Sequence, residues 1–313
     1  RGLGDVYKRQ RISLSSDGKT IAVMSFASKI VYIYKTINNW QTYNTSEIIT
    51  RPDHNFTSKI SLSDDGNILA FSSYAYGTNN IGNAGVMQFS QGSWHQLGDY
   101  FLGTVANENL GYAISLSGNG QVIAIKSHNL GTNETVTVYK RTPEKAYSGS
   151  NGPMGWTKMG VNGRFSGEYL GEISLSKYGN IIAVGGRVYH YENNTNDWKI
   201  LGNEITDDGM PVMLLSSDGL TVAIHKSSDL DYVYIYQYSN GIWTQSSRVS
   251  NSNSHTVSLS GDGLTLVVAD TTAYGSSTGT AYIYKYSAKP GFILDLDNSC
   301  MLGFNGSNTI FGQ

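Results

Sequence analysis

The residues Ile12–Tyr34 read ISLSSDGKTIAVMSFASKIVYIY, and this stretch decides the fold. An Ile-Ser-Leu-Ser segment is followed by an Asp-Gly pair, an Ile-Ala-Val segment and a Val-Tyr-Ile-Tyr segment. The unit recurs six times, with starts near residues 12, 60, 114, 173, 213 and 257. A repeat of about 40 to 60 residues is typical of arrays in which each copy is one supersecondary unit.

Each segment alternates with a period of two and is rich in β-branched and aromatic residues, which predicts strands. The Asp-Gly pair favours a tight hairpin because glycine accepts a positive φ. A fourth strand is expected around a tryptophan in the first five copies and near Phe292 in the sixth. The tryptophans are Trp40, Trp94, Trp156, Trp198 and Trp243. The pattern predicts an all-β fold, a β-propeller with six four-stranded blades visible and a six- or seven-bladed ring in the intact protein.

The two ends of the chain do not follow the repeat. Residues 1–10 (RGLGDVYKRQ) resemble the in-frame translation of a sequencing-adapter end. We therefore expect them to be an artefact and the natural chain to begin further upstream. The propeller is predicted to occupy residues 11–297, and residues 298–313 are predicted to form a C-terminal tail.

Composition narrows the classes of partner. The net charge is −2, and Lys and Arg are scattered along the chain. Nucleic acid is not an expected partner, because its recognition needs a basic patch. Membrane insertion is not expected either, because no apolar run approaches the roughly 20 residues of a spanning helix. The single cysteine, Cys300, leaves the location open, and we favour an extracellular, cell-surface or virion site over the cytoplasm.

Sequence motifs for catalysis and for metal binding are missing. There is no nucleophile elbow, no glycine-rich phosphate loop and no close-spaced histidine motif. The segment Asp295–Ser299 offers three oxygens of a calcium loop without its glycine or its later acidic ligand, so calcium is unsupported and no cofactor is expected. Four aspartates recur at one position of the repeat and are interpreted as turn residues. They are Asp17, Asp65, Asp218 and Asp262.

The repeat resembles the FG-GAP-like repeat of integrin-type propellers over residues 11–297. The resemblance rests on Trp-x-x-Leu-Gly, on Leu110-Gly-Tyr112 and Leu170-Gly-Glu172 before the first strand, and on the four segments quoted above. It implies a binding propeller at a cell or virion surface. The calcium loops of that family, with their Asp-x-Asp-x-Asp-Gly pattern, are absent. A weaker resemblance, to tryptophan–aspartate repeats, rests on Ser15–Ala22 and lacks the Gly-His and Trp-Asp pairs.

Variable loops carry the candidate binding residues. The loops between the second and third strands, and the connections from a fourth strand to the next first strand, are expected to share one face. Aromatic side chains beside amides and carboxylates suit recognition of a protein or a glycan ligand. The candidates are Tyr74, Tyr76, Asn79, Asn80, His128, Asn133, Asp229, Asp231, Asp270 and Tyr274.

The leading hypothesis is a non-enzymatic propeller that uses these loops for protein interaction or carbohydrate binding. One alternative is a polysaccharide-acting hydrolase or lyase on the same scaffold. In that case two carboxylates about 5 to 10 Å apart would be expected to converge in a pocket. Another alternative is an intracellular scaffold for protein interactions.

Overall fold

The computed structural model describes an all-β chain. The described residues are 10–25, 30–38, 40–49, 59–129, 133–146, 149, 151–160, 164–206, 211–226, 228–250, 256–270, 280–285, 302–304 and 310–311. No helix occurs among them, and their strands form six antiparallel sheets. The sheets are the blades of a six-bladed β-propeller, which confirms the predicted fold class.

Blades 1 to 3 come from the first half of the chain. Blade 1 contains β1 (Gln10–Leu14), β2 (Thr20–Ser25), β3 (Ile30–Thr36) and β4 (Tyr43–Ile49). Blade 2 contains β5 (Ile60–Leu62), β6 (Ile68–Ser73), β7 (Asn83–Ser90), β8 (Ser93–Gln96) and β9 (Phe101–Leu102). Blade 3 contains β10 (Leu110–Leu116), β11 (Val122–Ser127), β12 (Glu134–Arg141), β13 (Trp156–Lys158) and β14 (Arg164–Gly167).

Blades 4 to 6 follow in the same strand order. Blade 4 contains β15 (Ser174–Leu175), β16 (Ile181–Val184), β17 (Arg187–Glu192) and β18 (Asp197–Ile200). Blade 5 contains β19 (Val212–Leu215), β20 (Thr221–Lys226), β21 (Asp229–Ser239) and β22 (Ile242–Ser250). Blade 6 contains β23 (Thr256–Leu259), β24 (Thr265–Asp270), β25 (Thr280–Lys285), β26 (Leu302–Phe304) and β27 (Ile310–Phe311).

The residues fall into two compact units according to their internal contacts. The first comprises Arg1–Glu168, Lys177–Gly179 and Tyr191–Trp198. The second comprises Tyr169–Ser176, Asn180–His190 and Lys199–Gln313. The candidate functional site lies within the first unit.

The recurring aspartates form turns, as the sequence predicts. Asp17 Oδ1 accepts hydrogen bonds from Ser15 Oγ at 2.7 Å and from the Lys19 amide at 2.9 Å, while the Thr20 amide donates to Ser15 Oγ at 2.9 Å. The same side-chain-to-backbone pattern closes the turns that contain Asp65, Asp218 and Asp262. These carboxylates are therefore occupied in fixing the hairpins.

The small face of the first strand of blade 1 serves its junction with blade 2. Ser13 Oγ of blade 1 accepts a hydrogen bond from the Leu62 amide of blade 2 at 2.9 Å. The turn glycine also fits closely, because a methyl group added at Gly66 would lie 2.5 Å from Thr20 Cβ. Serine and glycine let the two backbones approach, while the bulky faces pack into the core. Blades 2 and 3, for example, share one core that includes Ile68, Val86, Ile114, Ile123 and Trp156.

The Trp-x-x-Leu-Gly motif also joins neighbouring blades. The indole Nε1 of Trp156 donates to the Leu97 carbonyl oxygen at 3.0 Å, and the Trp198 indole donates to the Met159 carbonyl at 3.2 Å. Within the second unit, Trp243 makes the equivalent bond, to the Leu201 carbonyl oxygen at 2.7 Å. The acceptor in each case is the fourth residue of the motif in the preceding copy, so the motif supplies a donor to one neighbour and an acceptor to the other.

The fourth strand differs from the prediction in four blades. In blade 1, Trp40 lies in the turn with a φ of +67°, and β4 begins only at Tyr43. In blades 2 and 3 the fourth strand is in two pieces, because Leu97-Gly98 and Met159-Gly160 interrupt the pairing with the third strand. In blade 6, Leu302–Phe304 pairs with β25, so strands continue beyond residue 297, while Phe292 lies outside the described residues.

In blade 5, the residues expected to form the loop between the second and third strands belong to a strand. Asp229 and Asp231 were predicted in the connection between the second and third strands, but both lie in β21. The alternating run through Tyr232 and Tyr234 extends the third strand, and a bulge next to His225 lets Asp229 pair with Lys226. Asp270 likewise ends β24, where it pairs with Thr280.

Candidate functional site

The structure brings some of the predicted binding residues together and separates others. Tyr74, Tyr76 and Asn79 lie in the connection between β6 and β7, and His128 directly follows β11. Asp229 lies in another blade, in the second unit. The side chain of Asp231 and the whole of Tyr274 lie outside the described residues.

The connection between β6 and β7 is fixed by backbone hydrogen bonds. The Gly82 amide donates to the Tyr76 carbonyl at 3.1 Å, and the Asn107 and Asn109 amides donate to the carbonyls of Asn79 and Asn80 at 2.7 and 3.0 Å. Both Asn79 and Asn80 have a positive φ, of +66° and +52°. Asparagine tolerates this conformation better than most residues. The two asparagines therefore shape the loop through their backbones.

Three rings form a row at the ends of the second strands of blades 2 and 3. The ring centroids of Tyr74 and Tyr112 are 5.5 Å apart, and those of Tyr112 and His128 are 4.6 Å apart in a stacked arrangement. Tyr112 is 39% exposed and both of its neighbours are half-buried. We call Tyr74, Tyr112 and His128 the aromatic row. It joins two predicted residues through a third, Tyr112, which belongs to β10.

A buried ion pair lies next to the aromatic row. Lys126 Nζ is 2.8 Å from Glu134 Oε2, and the two side chains are only 3% and 2% exposed. The other carboxylate oxygen of Glu134 lies 2.6 Å from His128 Nδ1. Lys126 Nζ also lies 5.4 Å from the centre of the Tyr112 ring. Both carboxylate oxygens of Glu134 thus have a polar partner. A buried carboxylate needs such partners because it has lost its contacts with water.

The connection from β9 to β10 borders the row and is itself held by a carboxylate. Glu108 Oε2 accepts hydrogen bonds from the amides of Thr104 and Val105 at 2.6 and 3.3 Å. Asn109 Nδ2 donates to the His128 carbonyl oxygen at 2.9 Å. In this part of the chain, the connections after a fourth strand and after a second strand therefore do meet at one face, as predicted.

Sequence reasoning missed Tyr112, Lys126 and Glu134 because all three lie in strands of the repeat. Tyr112 was interpreted as part of the Leu-Gly-Tyr motif. A signal for Lys126 was present, because the equivalent residues of the first two copies are Met24 and Ser72. Of the six copies only the third has lysine there, while the fifth has His225 and the others are apolar or small. An ionisable residue at such a strand position predicts a buried polar group with a partner.

Blade 5 holds a second group of aromatic and charged residues. The Tyr234 hydroxyl donates to Asp229 Oδ2, Lys226 Nζ lies 4.8 Å from the Tyr234 ring centre, and the Arg248 guanidinium lies 4.3 Å from the Tyr232 ring centre. The hydrogen bond to Asp229 raises the pKa of the Tyr234 phenol above its ordinary value, and burial acts in the same direction. Asp229 is therefore engaged by its own strand.

The chemistry available at the aromatic row is recognition and, through His128, proton transfer. Glu134 binds Nδ1 of the His128 ring and so orients Nε2 away from the ion pair. Within the described ranges, no three His, Cys, Asp or Glu side chains are grouped so that they could hold a metal ion. Asp295–Ser299 lies outside those ranges. The described residues include no helix long and apolar enough to cross a membrane.

Comparison with known proteins supports the fold. No protein-family model matches the chain, and no curated protein matches it. Among solved structures, the β-propeller domain of Cps50 (Swd1) from Myceliophteria thermophila is similar with a TM-score of 0.60 and 12% identity, covering 95% of this chain and 85% of that one.

Two bacterial structures are similar to a comparable degree. A functionally unknown protein from Desulfotomaculum acetoxidans matches with a TM-score of 0.57 and 13% identity, over 91% of this chain and 84% of that one. A Bacteroides uniformis protein provisionally assigned as a 6-phosphogluconolactonase matches with a TM-score of 0.55 and 14% identity, over 94% and 80%. At these identities the similarity establishes the fold, and the chain is a β-propeller.

Proposed function

We propose that the chain is a non-enzymatic binding propeller that recognises a protein partner through the aromatic row of Tyr74, Tyr112 and His128. The observation that carries the proposal is the stack of partly exposed rings beside a buried ion pair. Tyrosine is enriched at interfaces because its ring adds apolar contact area and its hydroxyl remains polar.

The arrangement of the rings favours a protein over a glycan. His128 stacks on the Tyr112 ring, and Lys126 Nζ also lies over that ring. The Tyr112 ring is thus in contact with the protein's own side chains, which leaves less of its face open to a ligand. A pyranose needs an open aromatic face, whereas a protein surface packs well against edges and hydroxyl groups.

The surroundings of the row support binding because they hold it in place. Lys126 and Glu134 are buried in adjacent strands, and the Glu134 carboxylate fixes the His128 ring. The loop at Tyr76 is tied to the connection before β10 by backbone hydrogen bonds. A binding site supported in this way loses little conformational entropy when it takes up a ligand.

We also propose a family and a cellular location for the chain. The Trp-x-x-Leu-Gly, Ser-Leu-Ser and Asp-Gly segments favour an FG-GAP-like propeller, and that resemblance favours an extracellular, cell-surface or virion location. An intracellular scaffold would use the same aromatic row, so location is to be decided by localising the natural full-length protein with an antibody.

The test compares Tyr112, in the aromatic row, with Tyr178, an exposed tyrosine elsewhere in the first unit. Tyr178 is 66% exposed and lies in a turn between a first and a second strand, away from the aromatic row. The chain would be immobilised and exposed to extracellular and cell-surface protein preparations and to a glycan array. For a captured protein, Tyr112→Ala is expected to weaken affinity about tenfold or more, as for an interface anchor, and Tyr178→Ala to leave it unchanged.

Two results would contradict this proposal. One is binding to glycans alone, with no protein partner. The other is capture of a protein whose affinity is the same for wild type, Tyr112→Ala and His128→Ala. Circular dichroism and melting temperature of each variant establish that the folded state is retained.

A hydrolase or lyase acting on polysaccharides is the second candidate function. It is favoured by the 2.6 Å contact between Glu134 and His128 Nδ1, because a carboxylate that orients a histidine is a common feature of proton-transfer sites. The candidate predicts turnover of a polysaccharide, seen as new reducing ends or as unsaturated products, that is lost in His128→Asn. If no polysaccharide in a broad panel is cleaved, the binding function remains.

A further inference from the structure

A cavity in the first unit lies between blades 1 and 2, apart from the aromatic row. We call it the blade 1–2 groove, and its volume is about 330 Å³. This is within the usual size of a small-molecule site. Its lining residues come from β2, β3 and β4 on one side and from the turn at Gly66, β7 and β8 on the other.

One wall of the groove is aromatic. The ring centroids of Phe89 and Trp94 are 5.5 Å apart, with their planes inclined at 56°, and both side chains are half-buried. The opposite wall is polar and consists of Asn44, Thr45 and Ser46. Trp94 Nε1 donates to Ser46 Oγ at 3.3 Å across the groove. An aromatic wall facing amide and hydroxyl groups is the chemistry that recognises a sugar ring.

The groove is open because blade 1 lacks Trp-x-x-Leu-Gly. At the next junction Trp156 is fully buried, and its indole donates to the Leu97 carbonyl and packs against Gly98. Blade 1 has no Leu-Gly segment for Trp94. Among the described residues its indole donates to the side chain of Ser46. It therefore stays partly exposed.

Thr20 lines the groove with a hydroxyl that has no hydrogen-bond partner among the described residues, although its side chain is only 1% exposed. The equivalent residues of the next two copies, Ile68 and Val122, are apolar. Burying an unpaired hydroxyl costs free energy, so such a group is expected to have a partner in a functional state of the protein.

The groove also carries a positive charge. Lys35 lines it, with Nζ 5.6 Å from the Phe89 ring centre and 3.2 Å from Asn67 Oδ1. The hydrogen bond from Ser15 lowers the pKa of Asp17, and Lys35 adds to that shift through a longer-range interaction. Within the described part of the chain, however, no carboxylate lies within the 4.0 Å of an ion pair with this ammonium group. An acidic ligand in the groove would supply that partner.

We propose that the blade 1–2 groove binds a pyranose that carries a carboxylate, as in a uronic acid unit of a polysaccharide. The sugar ring packs on Trp94 beside Phe89, its hydroxyls bond to the polar wall and to Thr20, and its carboxylate pairs with Lys35. This site does not depend on the aromatic row.

The test uses the full chain, with trigalacturonate as the probe and cellotriose as its neutral counterpart. Binding is followed by calorimetry and by the tryptophan emission, to which Trp94 contributes. We expect trigalacturonate to bind and Lys35→Gln to weaken its affinity about tenfold, as for loss of a charge-assisted bond. Cellotriose is expected to bind much more weakly and to be insensitive to Lys35→Gln.

Thr20→Val tests the hydroxyl, and Thr221→Val is its matched control. Thr221 occupies the same strand position in blade 5, against Gly263, as Thr20 does against Gly66. Valine keeps the shape of threonine, so both variants should fold. We expect Thr20→Val to weaken trigalacturonate binding several-fold without lowering the melting temperature, and Thr221→Val to leave the affinity unchanged.

Three outcomes would overturn the inference. They are absence of binding at millimolar trigalacturonate, equal affinity for cellotriose, and a Thr20→Val variant that melts higher while binding unchanged. The last would mean that the hydroxyl is buried without a role in recognition.

Discussion

The indole Nε1 of Trp156 donates a 3.0 Å hydrogen bond to the carbonyl oxygen of Leu97, which lies 59 residues earlier in the chain. Next to this bond, Gly98 has a φ of +75°, and a Cβ atom there would lie 2.6 Å from the same indole nitrogen. The spacing within Trp-x-x-Leu-Gly thus reflects a junction between copies. Leucine or methionine offers its carbonyl, and glycine makes room for the next tryptophan.

Trp156→Phe is expected to destabilise the protein strongly. The change leaves the Leu97 carbonyl without its donor and creates a cavity in a fully buried position, for a combined loss of about 2 to 4 kcal/mol in the free energy of unfolding. Trp40→Phe is the control, because Trp40 is exposed and water can replace its bond to the Gly18 carbonyl. Urea denaturation measures the free energy of unfolding of both variants. Equal losses in the two would mean that the buried hydrogen bond contributes no more to stability than the exposed one.

Gly98→Ala separates close contact from backbone strain. Gly92 has a similar φ, of +81°, but open space around it, whereas Gly98 lies against Trp156 and the Met154 carbonyl. Gly92→Ala should cost about 1 kcal/mol through its backbone conformation alone. Gly98→Ala should cost at least about 2 kcal/mol more, because the blades must move apart. Similar melting temperatures for the two variants would contradict this account of the motif.

The turn aspartates predict a loss of stability in acid. The hydrogen bond from Ser15 lowers the pKa of Asp17, and the one from Ser260 lowers the pKa of Asp262. Because the folded-state pKa is depressed, the contribution is full above the unfolded pKa of about 3.9 and is lost as the pH falls through the folded pKa. We therefore expect the melting temperature to fall below about pH 4.

Asparagine at these turns should flatten that dependence. The third copy has Asn119, whose Oδ1 already accepts hydrogen bonds from Ser117 Oγ at 2.8 Å and from the Gln121 amide at 3.0 Å. The variant Asp17→Asn/Asp262→Asn should consequently fold normally at neutral pH. Its melting temperature, recorded against pH, should change less in acid than that of wild type. An unchanged slope would assign the acid sensitivity to other carboxyl groups.

Breaking the buried ion pair should cost more than removing it. Glu134→Gln leaves the Lys126 ammonium buried beside a neutral amide, for an expected loss of about 3 to 5 kcal/mol. The double variant Lys126→Met/Glu134→Leu removes both charges and should recover much of that loss. Urea denaturation of Lys126→Met, Glu134→Leu and the double variant gives the coupling energy. Additive losses would show that the two groups act independently.

Sequence periodicity was sufficient to predict the fold. The Ile-Ser-Leu-Ser and Ile-Ala-Val segments form the first and second strands because their alternation and their Asp-Gly turn are both local signals. The fourth strands were less predictable, because the positive φ of Gly98 and Gly160 interrupts them at a point fixed by the following blade. Trp40 lies in a turn and not in the fourth strand, and its blade lacks the Leu-Gly pair.

The candidate site was only partly predictable. Tyr74 and His128 lie in variable loops and were identified, but what joins them is Tyr112, from a strand more than 35 residues away from Tyr74. Lys126 and Glu134 were missed because a repeat motif hides side chains that differ in a single copy. Asp229 was misplaced because a bulge, which depends on pairing between strands, turned an expected loop into β21.

The Trp-x-x-Leu-Gly junction has a consequence for how such a chain can evolve. Each copy that contains the motif brings both the indole that bonds to its predecessor and the carbonyl and glycine that receive its successor. Any two such copies are therefore compatible neighbours, whatever their loops contain. Duplication, loss or exchange of a whole copy by recombination therefore preserves the hydrogen bond and the close contact at the junction. Loop sequences can then diversify while the contacts between adjacent copies stay the same.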